Sequence, residues 1–132
     1  MTDKELRELD ARCEREIMGK CPHLHYQFTT GAFPRHDYIC SECNQTFNAP
    51  HCPQYHRSWD AVFGSLVPEM EQRGWLLLYE RFSGNWEGAP LDRPYSFVKF
   101  FKEKKGRASA NHEDGRIAII LSALAAVEME KK

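Results

Sequence analysis

The amino-acid sequence predicts an α+β fold, a three-layer α/β/α sandwich around a small antiparallel sheet. Three observations predict it. Apolar residues recur at helical spacing toward both ends of the chain. Between them lie apolar and aromatic runs bounded by turn residues. One stretch, residues 20–57, has no sustained period yet holds most of the cysteines and histidines. With 132 residues there is room for one domain, 1–132, in which 20–57 reads as an insertion.

Residues 2–18 read as the first helix. Thr2 and Glu5 have the spacing of a capping box, each side chain serving an orphan amide of the first turn. Leu6, Leu9, Cys13 and Ile17 form its apolar stripe, and Gly19 stops it. A second helix starts at Ser58 as N-cap and runs through Trp59, Val62, Phe63, Leu66 and Val67 to about Arg73. Pro68 removes an internal hydrogen bond, so a kink or restart is expected there. After Gly74, residues Trp75 to Phe82 read as a strand, and Ser83-Gly84-Asn85 as a turn. Tyr95 to Phe101 is a second strand with apolar residues on both faces, which predicts cover on both sides. Lys104-Lys105-Gly106 turns the chain into a third strand, Arg107 to Asn111. The last helix runs from about Asp114 to Met129 and buries Ile117, Ile120, Leu121, Leu124 and Val127. Helices before and after three strands can cover both faces of one sheet.

Composition narrows the function classes. Lys plus Arg number 18 against 19 Asp plus Glu, a net charge of -1. General duplex DNA or RNA binding, which draws its affinity from phosphate neutralisation, is not expected. Met1-Thr2-Asp3-Lys4-Glu5 carries no signal-peptide pattern, and no apolar run has the length of a membrane span. A cytoplasmic location is expected. Five cysteines, an odd count, fit metal binding better than a disulfide framework.

Residues 20–57 contain four of the five cysteines, five of the six histidines and four prolines. Such a stretch cannot bury enough apolar surface to order itself, so it needs a staple. Cys40-Ser41-Glu42-Cys43 is a C-x-x-C pair, in which one tight turn aims two thiolates at a common point. Asn44 follows it, and Asn tolerates the left-handed backbone that such turns often require next. Cys21-Pro22-His23 supplies a thiolate and an imidazole one residue apart. Cys21, His23, Cys40 and Cys43 read as the donors of a structural zinc site. His25 is also within reach, and Cys52 could replace Cys21 in a worse arrangement. A redox reading of C-x-x-C would want a βαβ context, which is absent. Four protein ligands leave no position for water, so no hydrolytic chemistry is implied.

Arg57, Arg81, Arg107 and Arg116 fall near element ends, where guanidinium forks could hold phosphates. Arg116 lies in the first turn of the last helix, whose free amides favour anions. Phe82, Trp86, Tyr95 and Phe97 could stack on a base. The residues selected for ligand binding are Arg57, Phe82, Asn85, Tyr95, Arg107, His112 and Arg116. Ser58 with His56, and Ser109 with His112, are proximities without a nucleophile elbow or P-loop, so no catalysis is expected. His56 and His112 are expected at the surface or half-buried.

The chain resembles the phage ABA sandwich domain family. The likeness is carried by Thr2-Asp3-Lys4-Glu5-Leu6-Arg7-Glu8-Leu9-Asp10 with Ile17-Met18-Gly19, by Tyr55-His56-Arg57-Ser58-Trp59-Asp60-Ala61-Val62, and by Met70-Glu71-Gln72-Arg73-Gly74-Trp75. It closes on Ala108-Ser109-Ala110 and Ile117-Ala118-Ile119-Ile120-Leu121-Ser122-Ala123-Leu124. Where the family usually has Ser-Thr-Asp after the tyrosine, this chain has His56-Arg57-Ser58, and Pro68 is also unusual. Family members often carry a C-x-H…C-x-x-C insertion at this place, which implies His23 rather than His25. The family is similar to the first type of Thoeris anti-defence protein. The resemblance therefore implies a non-enzymatic phage sponge, acting in an infected bacterium, that sequesters cyclic ADP-ribose or cyclic oligonucleotide signals as an oligomer. Nanomolar capture needs about -12 kcal/mol. A ligand of roughly 35 heavy atoms at about 0.3 kcal/mol each reaches that only when nearly enclosed, which favours a site between subunits of a homo-oligomer. A zinc-stapled protein–protein interaction module is the alternative, with Phe33, Tyr38 and Phe47 as its apolar patch.

Overall fold

The structure is a computed structural model of the whole chain, in which residues 1–28, 38–47, 53–82 and 94–131 are described. Helix α1 spans Asp3–Arg12, and its capping box forms as predicted. The Glu5 amide donates to Thr2 Oγ1 (3.2 Å), and the Thr2 amide donates to Glu5 Oε1 (3.3 Å). A π-helical turn, Cys13–Ile17, prolongs α1, and Gly19 ends it with φ of 69°. Short strands β1 (Tyr26–Phe28), β2 (Tyr38–Cys40) and β3 (Thr46–Phe47) then form an antiparallel sheet in that order.

After a 3₁₀ turn, Tyr55–Arg57, the chain enters α2 (Trp59–Ala61), a π-helical turn (Val62–Leu66) and α3 (Val67–Gln72). Ser58 caps α2 as predicted, accepting from the Ala61 amide at 3.0 Å. The restart expected at Pro68 takes this form. Pro68 has no N–H for the Gly64 carbonyl, and the wider π turn ahead of it accommodates the missing bond and the ring. A second antiparallel sheet follows, with order β4 (Leu76–Phe82), β5 (Tyr95–Lys102) and β6 (Gly106–His112). Its register pairs Leu78 with Lys99 and Val98 with Ala110. Helix α4, Gly115–Glu130, closes the fold behind its N-cap Asp114.

Helix α4 organises the core. Ile117, Ala118, Ile119, Ile120, Ala123, Ala126 and Val127 are buried around most of its circumference, as befits a helix that is apolar nearly all round. It packs on β5 and β6, and also on α1, its π turn and the Tyr55–Arg57 turn. Trp75, Val98 and Phe100 are fully buried in the same cluster. Each such side chain contributes about 1.5–3 kcal/mol by leaving water. No helix among the described residues is long and apolar enough to cross a membrane.

The chain is mixed helix and sheet, with two small antiparallel sheets. Among the described residues α4 packs on one face of the β4–β6 sheet. The opposite face exposes Leu76 (57%), Leu78 (36%) and Phe101 (38%). Apolar residues on both sides of a strand show that burial is wanted, not that this chain supplies it. His56, expected at or near the surface, is buried. Its Nδ1 lies 2.5 Å from Asp10 Oδ2, and its amide donates to Asp10 Oδ1 at 3.1 Å. Burial raises the Asp10 pKa, with the His56 hydrogen bonds opposing it. The pair fastens the 3₁₀ turn to α1.

Candidate functional sites

The first site lies in the β1–β3 region. Cys21, His23, Cys40 and Cys43 bring one donor atom each to within 4.8 Å of one another. The Cys21 and Cys40 sulfurs are 3.6 Å apart, as are Cys43 Sγ and His23 Nδ1. The backbone explains the convergence. In the turn after β2, the Asn44 amide donates to the Cys40 carbonyl (2.9 Å) and the Cys40 amide to the Gln45 carbonyl (2.9 Å). The Glu42 amide points at Cys40 Sγ (3.4 Å). Asn44 takes φ of 62°, the left-handed conformation predicted for it. His23 takes φ of 52°, the left-handed region in which His and Asn are enriched among non-glycine residues, and non-glycine residues held there cluster at ligand-holding positions.

Electrostatics follow the same geometry. Burial alone would raise the Cys40 thiol, but hydrogen bonds from His23 and from the Cys43 and Glu42 amides lower its pKa, while burial raises that of Cys21. Arg15 holds both Glu42 carboxylate oxygens, at 2.9 and 3.0 Å, so the turn carrying Cys40 and Cys43 is tied to the π turn after α1. The four could bind a metal ion. His25 is exposed and stands outside the cluster, so His23 is the imidazole of the set. Cys52 lies outside the described residues. Cys13, fully buried in the main core with its pKa raised by burial, is a packing residue.

The second site opens at the N-terminus of α4. Trp59, Tyr79, Arg81, Glu113, Asp114, Gly115 and Arg116 line a cleft of ≈380 Å³. Asp114 organises it. Its Oδ1 accepts from the Arg116 amide (2.9 Å), and its carboxylate takes Arg116 Nε and Nη2 (3.0 and 2.9 Å). Burial opposes ionisation of Asp114, but Arg116 prevails and lowers its pKa. The Arg116 guanidinium lies 5.6 Å from the Trp59 ring centroid, a cation–π arrangement, and Nη1 donates to the Arg57 carbonyl. Arg81 Nη1 donates to Ser96 Oγ (2.9 Å) and to the Glu113 carbonyl (3.1 Å). Gly115 is required here because a Cβ would collide with Tyr79 Oη and the Trp59 ring.

The predicted ligand residues divide. Arg116 lines the cleft, and Arg57 joins it through its carbonyl while its exposed guanidinium stands 3.8 Å from Asp3. His112 adjoins it, with Nδ1 accepting from the Asp114 amide at 2.9 Å. Arg107 does not join them. It sits at the opposite end of β6, about 17 Å along the strand from His112 at ordinary strand rise. Tyr95 is buried and stacked on Phe82 (5.2 Å), so neither ring presents an open platform to the cleft. Asn85 lies outside the described residues. Trp59 and Tyr79 line the cleft without a motif that marks them, and Arg81 lines it although it stands outside the ligand residues the sequence points to. Alternation along β4 puts Tyr79 and Arg81 on the same sheet face as Leu77, the face toward α4, and that was the available signal.

Comparison with family models, with curated proteins and with solved structures found no match to this chain.

Proposed function

We propose that the protein is a zinc-stapled, non-enzymatic binder that sequesters a phosphorylated small molecule of the cyclic ADP-ribose or cyclic oligonucleotide class. The observation that carries this reading is the α4 cleft, where two guanidiniums and the first-turn amides of a sixteen-residue helix meet beside Trp59 and Tyr79. The phosphate falls to Arg81, Arg116 and the helix amides. Ribose hydroxyls or base amines fall to the Glu113 and Asp114 carboxylates. No nucleophile and base converge with this cleft among its lining residues, consistent with holding rather than cleaving. The resemblance to phage anti-defence sponges supports the same reading.

Zinc suits the Cys/His cluster. Three sulfurs and one ring nitrogen are its donor chemistry, and a tetrahedral site with Zn–S of about 2.3 Å has edges of roughly 3.8 Å. The observed 3.6 Å separations are close to that edge. The metal would order the β1–β3 knuckle without supplying chemistry to the cleft.

Homo-oligomerisation belongs to the proposal, because a 380 Å³ open cleft encloses a dinucleotide only with help from a neighbour. A sandwich covered on both faces then requires a second copy over Leu76, Leu78 and Phe101. Glu80 and Arg107, opposite charges on that face with no ion-pair partner among the described residues, suit a twofold contact.

Calorimetry of the zinc-loaded protein against cyclic ADP-ribose isomers and cyclic di- and trinucleotides is the deciding experiment. One member of the panel binds at nanomolar Kd, Arg81→Ala and Arg116→Ala each weaken it at least tenfold, and heating releases it intact. Failure of the whole panel to bind overturns the reading, and recovery of a cleaved product overturns its non-enzymatic part. The interaction-module alternative draws on a separate observation. The knuckle exposes Phe28 (69%) and Tyr26 (43%) beside Tyr38, an aromatic surface that a protein partner could cover. Phe47 is buried rather than part of that surface, and Phe33 lies outside the described residues.

A further inference from the structure

Where the knuckle meets the helical core there is a second cavity, of ≈510 Å³. Glu14 and Lys20 line it from the end of the first helix, Cys21 and His23 from the first half of the metal cluster, and Gln45 from the second. Its charges are arranged unusually. Glu14 is a carboxylate residue left only 6% exposed, and a buried carboxylate ordinarily demands a cation. Here Oε1 accepts a single hydrogen bond, from Tyr55 Oη at 3.2 Å, and no cation pairs with it among the described residues. Lys20, an exposed residue, lines the same cavity and makes no ion pair among the described residues. The two are close in the chain, since the Lys20 amide donates to the Glu14 carbonyl at 2.8 Å, yet their side-chain charges do not meet.

Two opposite charges that line one cavity and leave each other unpaired can be bridged by a molecule carrying both complements at short separation. We propose that this cavity binds a zwitterionic α-amino acid, its ammonium on Glu14, its carboxylate on Lys20, and its side chain toward Gln45 and Pro53. The volume is within the range of small-molecule pockets and well above that of a water cluster satisfying one carboxylate. A cation alone would answer Glu14 and leave Lys20, and an anion alone would do the reverse. The site is distinct from the α4 cleft, which shares none of its lining residues.

Calorimetry and thermal shift on the full zinc-loaded chain test this with the free L-amino acids as probes. L-norvaline is set against butylamine and pentanoate, which keep one charged end each. At least one amino acid is expected to bind with millimolar or tighter Kd and raise the melting temperature. The one-ended analogue of any binder should be weaker by tenfold or more. Glu14→Gln and Lys20→Met should each weaken binding at least tenfold. Lys20→Met, at an exposed position, guards against reading a folding defect of the buried variant as lost affinity. Absence of binding across the amino acids overturns the proposal, as does an amine or acid alone binding equally well, or affinity unchanged in Lys20→Met.

Discussion

The helical core and the knuckle differ in how much apolar surface each buries within one chain. In the core, Trp75, Phe100, Ile119, Met70 and Leu66 are fully buried around α4. In the knuckle, strands of two or three residues carry only Cys40 and Phe47 as buried side chains, and β1 is exposed throughout. Fixing a residue's backbone costs about 1–2 kcal/mol of conformational entropy. Burial of this extent does not offset that, whereas four converging donors can.

Three experiments would break or sharpen this contrast. The largest effect belongs to the metal. Native mass measurement should show one zinc per chain, and chelation, or Cys40→Ala, should remove binding free energy on the order of 10 kcal/mol. Amide protection should then vanish in β1–β3 while the helical circular dichroism persists. Retention of knuckle protection without metal would contradict the division. The next effect belongs to the core. Phe100→Ala should destabilise the whole fold by about 3–5 kcal/mol in urea melts, with zinc stoichiometry unchanged in the folded fraction.

The smallest effect lies at the α4 N-terminus. Asp114→Ala removes the cap and the partner of Arg116, at a cost of about 1 kcal/mol. Its pH dependence has a defined sign. The folded pKa of Asp114 is below the model-peptide value of 3.8, so its stabilisation is present above 3.8 and lost as pH falls through the folded value. Wild type and variant should therefore differ at neutral pH and converge in acid. Divergence that grows in acid would contradict the Asp114–Arg116 pairing.

Local rules were legible in the sequence, and long-range placement was not. Thr2 and Ser58 each announce a helix start by chemistry confined to the next few residues, and both cap as read, while Asp114, read only as the start of the last helix, proves to be its cap. The Cys/His spacing works the same way, because a C-x-x-C turn and a C-x-H pair leave few geometries, and Asn44 adopts the backbone its position demands. The α4 cleft is different. Trp59, Arg81 and Arg116 come from three elements, so their meeting is a long-range event, whereas the two-residue link from His112 to Gly115 already sets Arg107 at the far end of β6 from α4. The strands β1–β3 are too short for alternation to register. Cover of the second sheet face was read from apolar residues on both sides of Tyr95 to Phe101, a pattern that states a demand for burial without naming its supplier.

The central position of α4 also has a temporal side. Much of the core depends on it, since α1, the π turns and β5–β6 all pack on a helix that follows them in the chain. During synthesis these segments emerge with their apolar faces uncovered, and α4 is the piece that gathers them. The four metal donors, all within residues 21–43, emerge long before it. In a nascent chain, those four side chains are thus free to meet before the helix that covers the core has been made.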